Sequence, residues 1–422
     1  MESLCTADFF RGNRERLRLA LAERSVTAET PIVVTANGLM QRTSDNAYPF
    51  AQDSNFWYLT GIEEPDITLV MTAGKEYLVV PGRSTSREAF DGVVDAEALT
   101  AMSGIETVYS EDEGWERLRK LVSSGGVKQI ATPGAPPQYI EQLGLYTNPS
   151  RARLVAGLAE LLPGIELLDI RSDIASLRVI KQPAELAAIE EAIQITSDSL
   201  LFVTAPEQFA LYHDEYEIEA DLTREFRRRG ACGHAFAPII AGGKRACTLH
   251  NVANEAPILP DTLMVLDVGA EVSHYAADIT RTKIYGQPTD RQKEVFDAVL
   301  DVQRYALTLL KPGVLLKEYE AQVATYMGET LQKLKLVTLT GDAEHDQRAI
   351  RTYYPHSTSH FLGLDVHDVG DYTLPLRSDM VLTCEPGIYI PEEGIGVRIE
   401  DDVLITTEGV RVLTETLSRD MF

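Results

Sequence analysis

Three short stretches of the chain carry the side chains able to do chemistry. In Leu263-Met264-Val265-Leu266-Asp267-Val268-Gly269 an aspartate closes an apolar strand pattern, and in Ala277-Asp278-Ile279-Thr280-Arg281-Thr282 a second aspartate opens the next one. A hairpin between the two strands brings Asp267 and Asp278 side by side, and like charges held that close need a cation or a shared proton. Further on, Pro355-His356-Ser357-Thr358-Ser359-His360-Phe361-Leu362-Gly363-Leu364-Asp365-Val366-His367-Asp368 places three histidines within twelve residues of a chain that has only eight. Neutral imidazole is the commonest nitrogen ligand for divalent metals. The third stretch comprises Met380-Val381-Leu382-Thr383-Cys384-Glu385-Pro386-Gly387 and Gly396-Val397-Arg398-Ile399-Glu400-Asp401-Asp402. Glu385 ends an apolar strand broken by Pro386-Gly387. Strand alternation puts Arg398 and Glu400 on one face and Val397 and Ile399 on the other.

Each stretch alone has a plainer reading. Asp267 and Asp278 fit a turn aspartate and a solvated strand end, the histidines fit a polar loop, and Arg398 with Glu400 fits a buried ion pair. Together they supply four carboxylates (Asp267, Asp278, Glu385, Glu400) and an imidazole on strand ends and a glycine-bearing loop. Four negative charges are cancelled by two divalent cations. Oxygen-rich donors without thiolate favour a harder ion such as manganese over structural zinc. Paired metals activate water near neutral pH and polarise a carbonyl under attack. Other hydrolytic designs are missing: the chain has no HExxH, no GxSxG and no cysteine with catalytic flanks.

Helix patterns at about 183–203, 215–229 and 290–311, interleaved with paired strands Thr262–Val268 and Ile279–Ile284, predict an α+β domain built on antiparallel sheet. Pro183 opens the first of these helices, whose apolar face is Leu186, Ile189, Ile193 and Leu200. The first third reads as a smaller α/β unit: a helix near Gly12–Ala22, a β-branched strand Pro31–Ala36, and runs Ile67–Thr72 and Tyr77–Val80 joined by a hairpin turn at Ala73-Gly74-Lys75. No nucleotide loop occurs in it, and Ala241-Gly242-Gly243-Lys244-Arg245 lacks phosphate-loop spacing and reads as a turn. The expected boundary lies at residues 165–180, drawn as domains 1–172 and 173–422.

At 422 residues the chain has room for two domains. Lys and Arg total 39 against 64 Asp and Glu, a net charge of −25 that argues against nucleic acid or anionic membrane as partner. The four cysteines (Cys5, Cys232, Cys247, Cys384) have no CxxC spacing and suit a reducing compartment. With neither a signal-peptide core nor a membrane-length apolar run, the expected location is cytoplasmic.

The segments LDVGAEVSHYAADITRT, HSTSHFLGLDVHDVG, VLTCEPGIYIP and GVRIEDDVLIT resemble the metal-site signatures of the pita-bread metallopeptidases, which include methionine aminopeptidase, prolidase and aminopeptidase P. Asn46-Ala47-Tyr48-Pro49-Phe50 and Gln52-Asp53-Ser54-Asn55-Phe56-Trp57-Tyr58-Leu59-Thr60-Gly61 resemble the N-terminal domain of aminopeptidase P, which narrows the match. The resemblance implies a C-terminal pita-bread domain behind a smaller α/β domain, and an Xaa-Pro aminopeptidase acting on proline-containing peptides through a metal-bridging hydroxide. It implies two divalent ions, expected to be Mn²⁺. Asp267 and Asp278 would bind one, His360 and Glu385 the other, with Asp278 and Glu400 bridging. It implies that Glu385 relays a proton to the leaving nitrogen, His250 steadies the tetrahedral intermediate, His367 contacts the substrate carbonyl and His356 lines the proline pocket. Arg398 would orient Asp267 or Tyr389, and Tyr389 would join the substrate side. The family also implies a homodimer or homotetramer. Two alternatives stand beside this reading: a prolidase restricted to Xaa-Pro dipeptides, and a pita-bread domain that binds peptides without catalysis.

Overall fold

The computed structural model describes residues 4–137 and 139–422, which divide into two compact units, Cys5–Leu177 and Arg178–Phe422. Residue 172 falls just inside helix Arg171–Arg178, a single hydrogen-bonded element that stays with the first unit as far as Leu177.

The first unit is built on a six-stranded mixed sheet. Strand Ile32–Thr35 pairs antiparallel with Thr68–Thr72 and parallel with Gln129–Thr132, and the edges are Val108–Ser110 and Glu166–Asp169. The hairpin expected at Ala73-Gly74 is present, with Thr72 opposite Lys75. Val33, Val70, Leu118, Ile130 and Leu158 form a core between this sheet and helices Glu111–Gly125 and Ser150–Leu161.

The second unit is α+β, and its described strand pairings are all antiparallel. Its helices Pro183–Thr204, Glu215–Arg229 and Asp290–Leu309 lie within two residues of the sequence reading. Two more, Leu316–Lys333 and Ala343–Tyr353, were not anticipated; the latter is so polar that none of its residues is buried. The main apolar core gathers Val295, Val299 and Val302 from one helix, Val323, Met327 and Leu331 from another, Leu382, Cys384, Val397 and Val403 from the strands, and Ile399 from between two of them. No described helix is long and apolar enough to cross a membrane.

Two departures from the sequence reading place the chemistry. First, Asp267 and Asp278 are not joined by a plain hairpin. Strand Thr262–Val268 does pair with Ile279–Tyr285, but a second small hairpin, Ala270–Val272 with Tyr275–Ala276, is inserted between them. Gly269 permits the crossing, since a Cβ there would lie 1.7 Å from the Ala277 carbonyl oxygen. Second, the strand read through Gly396–Asp402 is two strands, Ile395–Arg398 and Asp401–Ile405, in different sheets. Their partners are likewise two, Gly387–Ile390 and Val381–Cys384. The break falls where Pro386, with no N–H, cannot continue a ladder.

Candidate metal and peptide site

The register is the same on both sides of that break. Cys384 lies opposite Asp401 and Gly387 opposite Arg398, so Glu385 and Glu400 face each other across the interruption. Their backbones turn to other partners: Glu385 N–H donates to the Thr358 carbonyl (2.8 Å) and Glu400 N–H to the Thr280 carbonyl (3.1 Å). Strand Ile279–Tyr285 is thereby stitched to the kink. Thr280 Oγ1 donates to Glu400 Oε2 at 2.6 Å, and Thr282 Oγ1 donates to the Arg398 carbonyl at 2.8 Å. Asp278 is two residues before Thr280 and shares its face, while Asp267 lies directly opposite Thr280.

Asp267, Asp278, Glu385, Glu400, His356, His360, His367, His250 and Arg398 all line one cavity of 660 Å³. Ligand atoms of Asp278, His360 and Glu400 lie within 4.8 Å of one another. His360 Nε2 is 3.3 Å from Glu385 Oε1 and 3.5 Å from Asp278 Oδ2. The other ring nitrogen of His360 sits 3.1 Å from the Phe361 carbonyl. A carbonyl only accepts, so Nδ1 carries the proton and Nε2 turns its lone pair towards the carboxylates, the tautomer a metal-binding imidazole requires.

Electrostatics give a second test of whether these residues suit metal. Burial first, then the charges of Asp267, Asp402 and Glu385, hold the Asp278 carboxyl well above its usual range. Glu400 is raised in the same way by burial, Asp278 and Glu385. Glu385 is pushed up to about 7 by burial, against the pull of His360 and Arg398. Asp267 accepts from Arg398 at Oδ2 (2.5 Å), whereas its buried Oδ1 has no hydrogen-bond partner among the described residues. Crowded, desolvated carboxylates with an orphaned oxygen and an imidazole lone pair fit divalent cations with oxygen-dominated coordination.

Arg398 spans the polar wall, donating to Asp267, to Tyr389 Oη (2.9 Å) and to Thr280 Oγ1 (3.2 Å). It therefore touches both candidates named for it, and its ion pair is with Asp267; the bond of Glu400 is to Thr280. His356 Nδ1 donates to the Ser357 carbonyl (2.8 Å), which leaves Nε2 to accept from Tyr389 Oη (2.8 Å). Burial and Arg398 press the His356 imidazole down to about 3, so it stays neutral. His367 packs edge-on against His360 with ring centroids 4.3 Å apart, and burial and His360 lower it to about 4. His250 comes to the cavity from the turn after the 3-10 helix Gly243–Cys247. Phe236, Ile239, Leu249, Val252, Val366 and Tyr372 complete an apolar side.

Several participants escaped sequence reading. Thr280 shares the strand face of Asp278, and alternation could have found it. Asp402 accepts the Asp278 N–H at 3.1 Å from a strand that reads as core. Asp368 binds Lys181 Nζ (2.9 Å) and Arg178 (2.5 Å) in a buried triad behind His367; nothing local marks these partners, which are nearly 190 positions away.

A carboxylate-lined cavity with the His360 Nε2 lone pair turned towards the acids, set among antiparallel sheets, fits the class of divalent-metal hydrolases. The chain belongs to metallopeptidase family M24, whose model matches residues 187–407, and residues 10–130 match the aminopeptidase P N-terminal domain. The chain is 33% identical over 402 residues to the Xaa-Pro aminopeptidase of Haemophilus influenzae, covering 90% of this chain and 89% of that protein. It is also 30% identical over 382 residues to an Xaa-Pro dipeptidase of Pyrococcus horikoshii, covering 89% and 95%. Among solved structures, a variant of Escherichia coli aminopeptidase P in complex with substrate superposes with TM-score 0.83 at 28% identity, over 98% of this chain and 96% of that one.

Proposed function

We propose that the protein is a metal-dependent exopeptidase that removes the N-terminal residue preceding proline. The observation that carries this reading is the facing of Glu385 and Glu400 at the strand break, with Asp278 and His360 in reach of Glu400 and His360 also in reach of Glu385, in a chain whose family is peptidase. Asp267, Asp278, His360, Glu385 and Glu400 would hold two divalent ions, Mn²⁺ being the choice that suits an oxygen-dominated donor set. When bound, such ions supply Lewis acidity and lower the pKa of water.

The chain's own groups do the rest. Arg398 fixes Asp267 and Tyr389 in one orientation through its planar fork. Glu385, whose Oε1 faces His360, is suited to take a proton at Oε2 and pass it to the departing nitrogen. His250 and His367 are placed to donate hydrogen bonds to substrate oxygens, His367 from a ring that burial keeps neutral, and His356 with Tyr389 forms the wall for the proline side. The substrates are proline-containing peptides. We place the protein in the cytoplasm as a homodimer or homotetramer, on its acidic composition, its four free cysteines and its family. The working division into domains 1–172 and 173–422 belongs to the same proposal, and limited proteolysis tests it.

The second reading, an Xaa-Pro dipeptidase, is favoured by the Pyrococcus relative. Metal content by elemental analysis, followed by assay of Arg-Pro-Pro beside Gly-Pro with manganese added back, decides between them. Release of arginine from the tripeptide is expected; cleavage of the dipeptide alone would transfer the protein to the second reading.

A further inference from the structure

The segment Tyr354–His360 carries two of the site histidines yet belongs to no helix or strand. It leaves helix Ala343–Tyr353 and runs to Phe361, and its middle residues Thr358 and Ser359 are buried, at 0% and 4% exposure. Buried backbone donors outside regular structure need partners from elsewhere. Here one side chain supplies them. Glu320, on helix Leu316–Lys333, sets both carboxylate oxygens 3.0 Å from the Thr358 N–H. Its Oε2 also accepts from Thr358 Oγ1 at 3.0 Å, and its Oε1 accepts from the Ser359 N–H at 3.1 Å.

The consequences run outwards from this clamp. Thr358 spends its hydroxyl proton on Glu320, so its Oγ1 accepts from Tyr354 Oη at 2.6 Å. The neighbour of Glu320, Tyr319, accepts from Ser359 Oγ at 3.0 Å. The Thr358 carbonyl receives the Glu385 N–H, and the His360 carbonyl receives the Thr383 N–H at 3.0 Å. A shift of Thr358 and Ser359 would therefore move His356 on one side, His360 on the other, and the backbone of Glu385.

We infer that Glu320 is a positioning residue whose carboxylate, through Thr358 and Ser359, fixes the rings of His356 and His360. The inference rests on the proposed function for the roles of those histidines. Glu320 does not line the cavity, and its hydrogen bonds are made to this segment. The chemistry demands an acceptor at both oxygens. In Glu320→Gln, which keeps shape and length, one acceptor becomes an NH₂ aimed at a backbone N–H, donor against donor. Glu320→Asp keeps both acceptors but falls a methylene short.

The experiment uses the full-length protein with ¹⁵N-labelled histidine. Ring signals are recorded before metal is added, and manganese affinity and kcat and KM on Arg-Pro-Pro are measured afterwards. For Glu320→Gln we expect the His356 and His360 signals to move while those of His213 and His345 stay in place. Manganese affinity and kcat should each fall by about 10- to 100-fold, with KM changed less than about threefold. Glu320→Asp should show the same signals displaced less and recover part of kcat. Leu331→Ala, a core change on the same helix, should lower Tm and leave both histidine signals and kcat close to wild type. Wild-type histidine signals and kcat in Glu320→Gln, whatever its Tm, would overturn the inference, and so would an equal displacement in Leu331→Ala. Should the wild-type protein fail to cleave Arg-Pro-Pro, the functional reading falls, while the ring signals still decide the role of Glu320.

Discussion

Glu400 and Asp401 are neighbours in the chain and opposites in environment. Glu400, with Asp278 and Glu385, sits in a well of carboxylates where burial and mutual repulsion raise the affinity for protons. Asp401, just as buried, is met by Arg281 (2.8 Å), Arg419 (2.5 Å), Gln303 (2.5 Å) and Thr414 (2.5 Å), and its carboxyl is held below its ordinary range despite burial. Asp368, with Arg178 and Lys181, repeats the second pattern. Asp401 and Asp368 are neutralised by cations of the chain itself, whereas Asp278, Glu385 and Glu400 are left crowded and under-neutralised, the condition that suits cations from outside.

Removing a member of the well should have the largest effect. Asp278→Ala or Glu400→Ala is expected to lose metal on elemental analysis and to lower kcat by at least about 10³-fold. Retained turnover in either variant would break the distinction. An anchor should fail differently. Asp368→Asn leaves Arg178 and Lys181 buried with one partner weakened, costing about 3–5 kcal/mol in urea unfolding, with metal content kept at temperatures where the protein is folded. Gly363 belongs to this anchor, because a Cβ there would lie 2.1 Å from Asp368 Oδ2 and 2.8 Å from Lys181 Nζ. His367→Ala should spare both stability and metal and reduce kcat about 10- to 100-fold; loss of metal without loss of rate would reverse its assignment.

The smallest effect is on pH dependence. In the metal-stripped protein the carboxyls of the well have folded-state values above their unfolded ones, so the folded state binds more protons. Stability then falls as pH rises from about 5 towards 8, the Glu385 step centring near 7. Manganese should flatten that slope in calorimetric scans. The anchors act with the opposite sign: Asp368 and Asp401 lie below their usual 3.8, and their contribution is lost only as pH falls through that region.

Much of this was legible in the chain. Asp267, Asp278, Glu385 and Glu400 stand at strand ends where an apolar pattern meets an acid, and His360 sits in a histidine-rich loop with Gly363, so residue types and local order were enough to nominate them. The hairpin at Ala73-Gly74 and the three long helices followed from turn chemistry and periodicity. The strand break at Ile399-Glu400 was not legible, because alternation continues smoothly through it. Only Pro386 on the partner strand betrays it, and seeing that requires knowing the register.

The sequence by itself determined which groups could bind metal and roughly which elements carry them, since those properties depend on residue type and on neighbours a few positions away. Tertiary structure alone decided that Glu385 faces Glu400, that Arg398 answers to Asp267 rather than Glu400, that Glu320 meets Thr358 and Ser359, and that Lys181 meets Asp368. Pairings between positions tens to nearly two hundred residues apart are set by sheet register and helix packing, which minimise the energy of the whole core and leave no local mark on the residues that meet.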